Sequence, residues 1–175
     1  MASSSSLSER LFAARERHAG QPFLLARGGS VSYDDAWSAI ARLAAALDPA
    51  GAPLVGIFAE RGQFAYQAVL ATLIAGKAYV PLNPRMPDAK LASIVALGGM
   101  DTVFAGAGMA GRLGSILSLA GGSRRAVLER YADLPDTAGE IAWEDAASFD
   151  VAVDSFRPPQ TAERAAYLFF TSGST

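Results

Sequence analysis

The chain of 175 residues is long enough for one domain or a large piece of one, and its 51% hydrophobic content is ample for a buried core. A formal net charge of −2 argues against nucleic acid or an anionic membrane as the main partner, because both favour a basic surface. The absence of cysteine excludes disulfides, thiolate-bound metals and a cysteine nucleophile, and with one histidine, His18, any metal site would depend on carboxylates.

Neither a membrane span nor a secretory signal is predicted. The longest uncharged stretch, residues 62–76, is shorter than the roughly 20 apolar residues that a spanning helix needs, and polar side chains interrupt it. The first residues lack a basic region followed by an apolar segment. We therefore expect a cytoplasmic protein.

The first part of the chain predicts a helix, a hairpin and a second helix. Apolar residues recur at helical spacing over residues 7–18, and a glycine and a proline follow. Residues 23–26 and 31–33 flank a glycine-containing turn and predict a β-hairpin. The same helical periodicity returns over about residues 34–47.

Strands and helices then alternate. A short apolar run at residues 54–58 predicts a buried strand, and residues 64–75 predict a helix closed by Gly76. Further predicted elements are strands at 79–82, 102–104 and 125–128 and helices at 88–97 and 112–120. These units predict the α/β fold class, with a parallel sheet covered by helices on both faces. Residues 131–159 are less regular, with a short helix or strand expected near residues 141–147.

Several conspicuous side chains are given structural interpretations. Trp37 and Trp143 lie in patterns of helical spacing and are interpreted as core or interface aromatics. His18 ends a basic helix, so we expect it to cap that terminus or to face solvent. Arg85 and Lys90, near the turn at Asn83 and Pro84, are interpreted as solvated surface charges, with contact to an anion as the alternative.

A glycine motif offers one functional hypothesis. Residues Gly106 to Gly111 fit G-x-G-x-x-G between a predicted strand and a predicted helix, and Glu129 lies near the spacing of a ribose-binding acid. Glycine and alanine are abundant in this chain, so composition alone also produces such a motif. A nicotinamide- or flavin-binding module is kept as an alternative.

The last residues place a hydroxyl-and-glycine loop directly after an apolar run. Residues 165–170 predict a strand, which would be a rigid mount for the loop. Hydroxyl groups donate to phosphate oxygens, and glycine lets successive backbone N–H groups turn toward an anion. The predicted phosphate-binding residues are Thr171, Ser172, Gly173, Ser174 and Thr175. A polar tail, such as the serine run at residues 3–6, is the other interpretation, whereas a Walker-type loop fits poorly because no lysine lies nearby.

Three segments, in order, resemble one enzyme family. Tyr167 to Thr175 match the start of the phosphate-loop signature Y-x-x-[YF]-T-S-G-S-T-G-x-P-K-G. Residues 73–84, followed by Pro87, resemble L-x-A-G-x-A-Y-V-P-L-D-P, and residues 31–36 resemble L-[TS]-Y-x-E-L. The chain thus resembles the AMP-forming adenylation superfamily, which includes acyl-CoA synthetases, aryl-acid ligases and the adenylation domains of nonribosomal peptide synthetases.

The resemblance implies a partial domain and a reaction. Residues 1–175 would form the amino-terminal part of the large adenylation domain, with the remainder and the carboxyl-terminal lid domain beyond Thr175. With ATP and Mg²⁺, such an enzyme activates a carboxylic acid, here an amino acid by preference, as an acyl adenylate. Pyrophosphate leaves, and the acyl group passes to the thiol of a carrier protein or of coenzyme A. The predicted loop would bind the β- and γ-phosphates.

The resemblance also sets limits on this stretch. It assigns neither a catalytic residue nor a metal ligand within residues 1–175, so we expect the stretch alone to be inactive. Lys77 stands where the family tends to have a small residue, and Asn83 replaces an aspartate frequent in amino-acid-activating members. Both departures make the substrate class harder to predict, but they do not change the predicted fold. A non-catalytic α/β scaffold module is a further alternative.

Overall fold

A parallel sheet of five strands lies at the centre of the described chain. The computed structural model describes residues 7–26, 29–129, 141–151 and 165–170. The strands are β1 Pro22–Ala26, β2 Gly29–Ser32, β3 Leu54–Phe58, β4 Ala78–Pro81, β5 Thr102–Ala105, β6 Arg124–Leu128 and β7 Ile141–Asp145. The helices are α1 Leu7–His18, α2 Tyr33–Ala45, α3 Gln63–Ile74, α4 Asp88–Leu97 and α5 Ala110–Ala120, with a 3-10 helix at Ala146–Ser148. β1 and β2 form a separate antiparallel hairpin.

The strand order shows that the sheet is doubly wound. The order is β4-β3-β5-β6-β7 and every pairing is parallel, so the connections through α3, α4 and α5 cross over the sheet. The chain runs from β3 through α3 to β4 on one side of β3, and then through α4 to β5 on the other side. Right-handed crossovers in opposite directions place helices on opposite faces. The predicted α/β fold class is confirmed.

Each strand divides its side chains between two cores, one on each face of the sheet. In β5, Val103 belongs to the core beneath α4 and α5, whereas its neighbour Phe104 belongs to the core beneath α2 and α3. This division follows from the period of two along a strand. Both faces are covered, so the strands are almost continuously apolar, which is the pattern that predicts them. Trp37 of α2 is buried in the second core, as expected.

The predicted bounds of the regular elements up to β6 agree with the observed bounds to within two residues. One difference at the hairpin has a clear cause. The sequence pattern places Tyr33 at the end of the second hairpin strand, but it is the first residue of α2. The hydroxyl of Ser32 accepts a hydrogen bond from the backbone N–H of Asp35 at 3.1 Å, so Ser32 is the helix cap and the helix starts directly after it.

Of the short helix or strand expected near residues 141–147, the structure has the strand, so the helical pattern assigned to Trp143 is wrong whereas its position at the core is confirmed. Trp143 lies in β7, in parallel register with Ala126 of β6, and its side chain packs against the core beneath α4 and α5. The strand depends on pairing with β6, a non-local interaction that periodicity cannot report. After the strand, the Asp145 carboxylate accepts a hydrogen bond from Ala147 N at 2.8 Å, which starts the 3-10 turn.

His18 does not face solvent, which was one of the two positions expected for it. Its ring is half-buried and lies 5.7 Å from the ring of Tyr33, centroid to centroid. Its backbone carbonyl accepts a hydrogen bond from Gln21 N at 2.7 Å as the chain leaves α1. The ring therefore joins α1 to the start of α2 through packing, which is a structural role.

Lys77 is buried although it is charged. Its ammonium group donates hydrogen bonds to the carbonyl oxygens of Gly51 and Ala52, at 3.0 and 2.8 Å. Asp101 holds the same loop through a carboxylate oxygen that accepts from Ala52 N at 2.6 Å. The loop that leads into β3 is thus fixed at the amino edge of the sheet. Lys77, which departs from the residue usual in the family segment, therefore stabilises this loop.

Candidate functional site

The segment of residues 165–170 extends the sheet beside β4. Tyr79 N donates to Ala166 O at 3.1 Å, and Leu168 N donates to Tyr79 O at 3.0 Å. These bonds form a parallel bridge between Tyr79 and Tyr167. The predicted strand is therefore paired through one bridge, and Phe170 packs against the core beneath α4 and α5.

Aromatic side chains accompany this bridge. The ring centroids of Tyr79 and Tyr167 are 5.8 Å apart, and those of Tyr167 and Phe169 are 5.1 Å apart. Tyr167 and Phe169 keep 55% and 59% of their surface exposed. Packing across neighbouring backbones stabilises the position of the segment although its outer side is open to solvent.

The bridge shows in which direction the segment of residues 165–170 runs. Because the bridge is parallel, the carboxyl end of the segment points to the carboxyl edge of the sheet, where β3 and β4 also end. Ligands of open α/β sheets bind outside this edge. The predicted phosphate-binding residues Thr171, Ser172, Gly173, Ser174 and Thr175 lie outside the described residues. They come directly after Phe170, whose position is described.

A cleft opens at this edge between α3 and the ends of β3 and β4. Its volume is about 600 Å³, which is within the usual range for small-molecule sites of about 300–1,000 Å³. We call it the edge cleft; its lining includes Glu60, Arg61, Tyr79, Asn83 and Arg85. The two guanidinium groups are exposed and have no described hydrogen-bond or ion-pair partner. With one carboxylate against two guanidinium groups, the charge of the lining favours an anion.

Arg112 of α5 holds the turn that forms one wall of the edge cleft. Its Nε donates to an Asp88 carboxylate oxygen at 2.8 Å, and its two terminal nitrogens donate to the carbonyl oxygens of Pro84 and Met86. The guanidinium carbon lies 5.6 Å from the centre of the Phe58 ring. Sequence reasoning missed this residue, because its partners lie more than 20 positions earlier and no local pattern connects them.

The glycine motif has a structural explanation. Gly108 has a φ of +72°, which favours glycine, and a Cβ added at Gly106 would lie 3.0 Å from the Cβ of Ala59. The backbone N–H of Ala107 donates to a Glu129 carboxylate oxygen at 2.7 Å. The backbone amide of Ala107 therefore already has a hydrogen-bond acceptor within the protein, and the Glu129 carboxylate is engaged in this bond. The geometry does not favour the dinucleotide alternative.

Two further findings concern the described residues as a whole. Within them, no group of three or more histidine, aspartate or glutamate side chains is placed to hold a metal ion. Across the same part of the chain, every helix is too short or too polar to cross a membrane.

Comparison with known proteins identifies the family. The sequence profile of the family described as AMP-binding enzyme matches residues 11–175, which include all three segments of the predicted resemblance. This chain belongs to the AMP-binding enzyme family. The predicted resemblance is therefore confirmed.

Individual proteins with similar sequences match a smaller share of the chain than the family profile does. A linear gramicidin synthase from Brevibacillus parabrevis is 32% identical over 126 residues, which is 70% of this chain and 2% of that protein. Tyrocidine synthase 3 from the same organism is 28% identical over 151 residues, or 85% of this chain and 2% of that protein. The chain thus spans a small part of the relatives it matches.

Solved structures of other proteins share the fold. IdnL7 aligns with a TM-score of 0.74 at 25% identity, over 95% of this chain and 33% of that one. A luciferase-like enzyme from the mealworm Zophobas morio aligns with a TM-score of 0.76 over 97% of this chain and 40% of that one; at 17% identity this likeness concerns the fold alone.

Proposed function

We propose that this chain is the amino-terminal part of the large domain of an AMP-forming ligase. In the proposed reaction, a carboxylate oxygen of the acid substrate attacks the α-phosphorus of ATP, the bond to the bridging oxygen breaks, and pyrophosphate leaves. The product is an acyl adenylate, and a thiol of a carrier protein or of coenzyme A then attacks its carbonyl carbon, so that a thioester forms and AMP leaves. The remainder of the enzyme would supply the acid pocket and the catalytic groups.

The match of the family profile over residues 11–175 carries this proposal, because it includes the hydroxyl-and-glycine segment. The parallel bridge at Tyr79 supports it, since the described segment that ends at Phe170 runs toward the carboxyl edge of the sheet. Arg61 and Arg85 of the edge cleft add positive charge at that edge. These features together suit a triphosphate better than an uncharged ligand.

In this proposal the chain's own residues position phosphate. Phosphoryl chemistry requires mainly alignment and charge stabilisation from a protein, and hydroxyl and backbone N–H groups provide both without a covalent step. The hydroxyl groups of Thr171, Ser172, Ser174 and Thr175 would donate to the β- and γ-phosphate oxygens, and Gly173 would allow the backbone to turn toward them.

Mg²⁺ fits this arrangement as a companion of the nucleotide. Mg²⁺ usually keeps several waters and binds through substrate phosphates and one or two carboxylates. When bound, the ion would neutralise charge on the leaving pyrophosphate.

An amino acid is the favoured substrate. The relatives with matching sequence include the linear gramicidin synthase and tyrocidine synthase 3. A crystal structure of the nonribosomal peptide synthetase FmoA3 with α-methyl-L-serine-AMP bound also aligns, with a TM-score of 0.71 at 22% identity over 97% of this chain and 17% of that one. The sequence relatives support an amino-acid substrate, and the FmoA3 structure supports the fold.

ATP–pyrophosphate exchange tests the proposal. The assay requires a polypeptide that carries this chain together with the rest of an adenylation domain, and a panel of amino, aryl and fatty acids. We expect acid-dependent exchange that is fastest with one amino acid. No exchange with any acid, in a protein that is folded by circular dichroism, would contradict the ligase proposal and favour a non-catalytic module.

A further inference from the structure

The segment of residues 165–170 lies beyond β4, at one side of the sheet. Its first five residues are all apolar or aromatic, and all five are exposed; we call residues 165–169 the apolar edge. The rings of Tyr167 and Phe169 contact each other on one side of it, and Leu168, which points to the other side, is 41% exposed. Both faces of the apolar edge are thus open, whereas β5 is buried on both faces.

The backbone of the apolar edge also has an unpaired outer side. In the bridge, Tyr79 bonds to Ala166 O and to Leu168 N, so the N–H and carbonyl groups of Tyr167 point away from β4. Neither group bonds to any residue that the structure describes. Unpaired backbone groups on an exposed strand are a template for pairing with a further strand.

The opposite side of the sheet shows how an exposed edge is ordinarily protected. β7 carries Glu144 and Asp145 among its five residues, and charged side chains discourage pairing with another strand. Residues 165–170 contain neither a charged residue nor a proline, which is another common protection. The apolar edge therefore has the composition of a strand that is covered in the complete protein.

An apolar hollow adjoins the start of the apolar edge, because Ala165 belongs to both. Its volume is about 420 Å³, and its lining consists of Pro53, Leu54, Gly76, Ala78 and Ala165. These residues offer no charged or hydroxyl side chain to a polar ligand. Exposed apolar surface of this kind is typical of contacts with other polypeptide.

We propose that the rest of the large domain covers the apolar edge and adds a strand to its outer side. This inference rests on the proposed function, in which the polypeptide continues beyond residue 175. The chain covers 33% of IdnL7, so most of that protein lies outside the aligned region and is long enough to supply such a cover. Pairing within one polypeptide costs only loop-closure entropy, whereas a second copy also loses translational and rotational freedom. The rest of the domain is therefore favoured over a second copy.

Thiol labelling tests whether the apolar edge is covered. The chain has no cysteine, so Phe169→Cys introduces a single thiol into residues 1–175, and Ser115→Cys on the exposed side of α5 is the control. Reaction with a maleimide is followed by peptide-resolved mass spectrometry in the 175-residue protein and in a polypeptide that carries the complete large domain. We expect position 169 to react about tenfold or more slowly in the complete polypeptide, whereas position 115 should react equally in both.

Hydrogen exchange tests the added strand without any substitution, and it decides the matter if Phe169→Cys does not fold. The N–H of Tyr167 should exchange rapidly in the 175-residue protein and about tenfold or more slowly in the complete polypeptide. Equal exchange of this N–H in the two proteins, or equal labelling of position 169, would overturn the proposal. Protection that rises with the concentration of the 175-residue protein would identify a second copy as the occupant and would also overturn it.

The two measurements are separate from the test of the ligase reaction, because neither requires ATP. A covered apolar edge in a polypeptide without ATP–pyrophosphate exchange would contradict the proposed reaction and support the interface. An open apolar edge in a polypeptide with exchange activity would contradict the interface alone.

Discussion

Lys77 comes three residues after the end of α3, and its ammonium group donates to two carbonyl oxygens of the loop before β3. The sequence shows Lys77 as an unusual residue for its family segment. It does not show the loop carbonyls, which lie 26 and 25 positions earlier.

Lys77→Met should destabilise the protein. The substitution keeps much of the aliphatic volume but leaves the carbonyls of Gly51 and Ala52 without their donor, so the free energy of unfolding should fall by about 1.5–3 kcal/mol. Urea denaturation measures the difference. Lys90→Met on the exposed side of α4 is the control and should change stability by less than about 0.5 kcal/mol. Equal stability of the two variants would contradict the role of Lys77.

The glycines of the G-x-G-x-x-G motif should respond differently to alanine. Gly108→Ala forces a side chain into a φ of +72° and should cost about 1–2 kcal/mol. Gly111 lies in α5 with open space around its Cβ position, so Gly111→Ala should stabilise the protein by about 0.5–1 kcal/mol. Thermal unfolding distinguishes the two. A similar Tm change in both variants would count against the structural explanation of the motif.

At the scale of elements, Arg112 joins α5 to the turn between β4 and α4. Arg112→Ala should cost about 1.5–3 kcal/mol and should increase hydrogen exchange at Met86 N, which donates to Asn83 O within that turn. Arg112→Lys should recover only part of the protection from hydrogen exchange, because one ammonium group cannot reproduce the several donors of the planar guanidinium group. Unchanged exchange at Met86 in Arg112→Ala would show that the turn is held by other contacts.

The bridge between β4 and the segment of residues 165–170 depends on few contacts. Tyr167→Ala removes the aromatic packing against Tyr79, worth about 0.2–1 kcal/mol, so the amide of Leu168 should lose protection from hydrogen exchange. Tyr66→Ala, which removes an exposed ring from α3, is the control and should leave Leu168 protected. Full protection of Leu168 in Tyr167→Ala would mean that the backbone bonds alone hold the segment.

Prediction from sequence succeeds for elements where the signal is local. The strand at Leu54–Phe58 and the helix at Asp88–Leu97 were predictable because apolar periodicity and nearby glycines or prolines define them. It fails for Trp143, where pairing with β6 decides the strand, and for Arg112, where contacts across the fold decide the role. The order of the strands was likewise beyond the sequence pattern, because it depends on the direction of each crossover.

At the scale of the whole molecule, the doubly wound sheet gathers distant parts of the chain at one edge. The ends of β3 and β4, the turn held by Arg112 and the segment before Thr171 all meet there, next to the edge cleft. The candidate phosphate residues were predictable from the strand-to-loop pattern and the family signature. Contact of Arg85 with an anion was an alternative from sequence, but the pairing of Arg61 with Arg85 was not predictable, since only the fold brings both to this cleft.

The central claim is that the hydroxyl-and-glycine segment, residues 171–175, binds the triphosphate. The most direct measurement is kcat/KM for ATP–pyrophosphate exchange in Thr171→Ala and Ser172→Ala, in a polypeptide that carries the complete adenylation domain, with Ser115→Ala on the exposed side of α5 as the control. Hydrogen bonds to charged groups are worth about 1.5–3 kcal/mol, so each loop variant should lose roughly ten- to a hundredfold while the control keeps the wild-type value. Wild-type kinetics in both loop variants would contradict the claim.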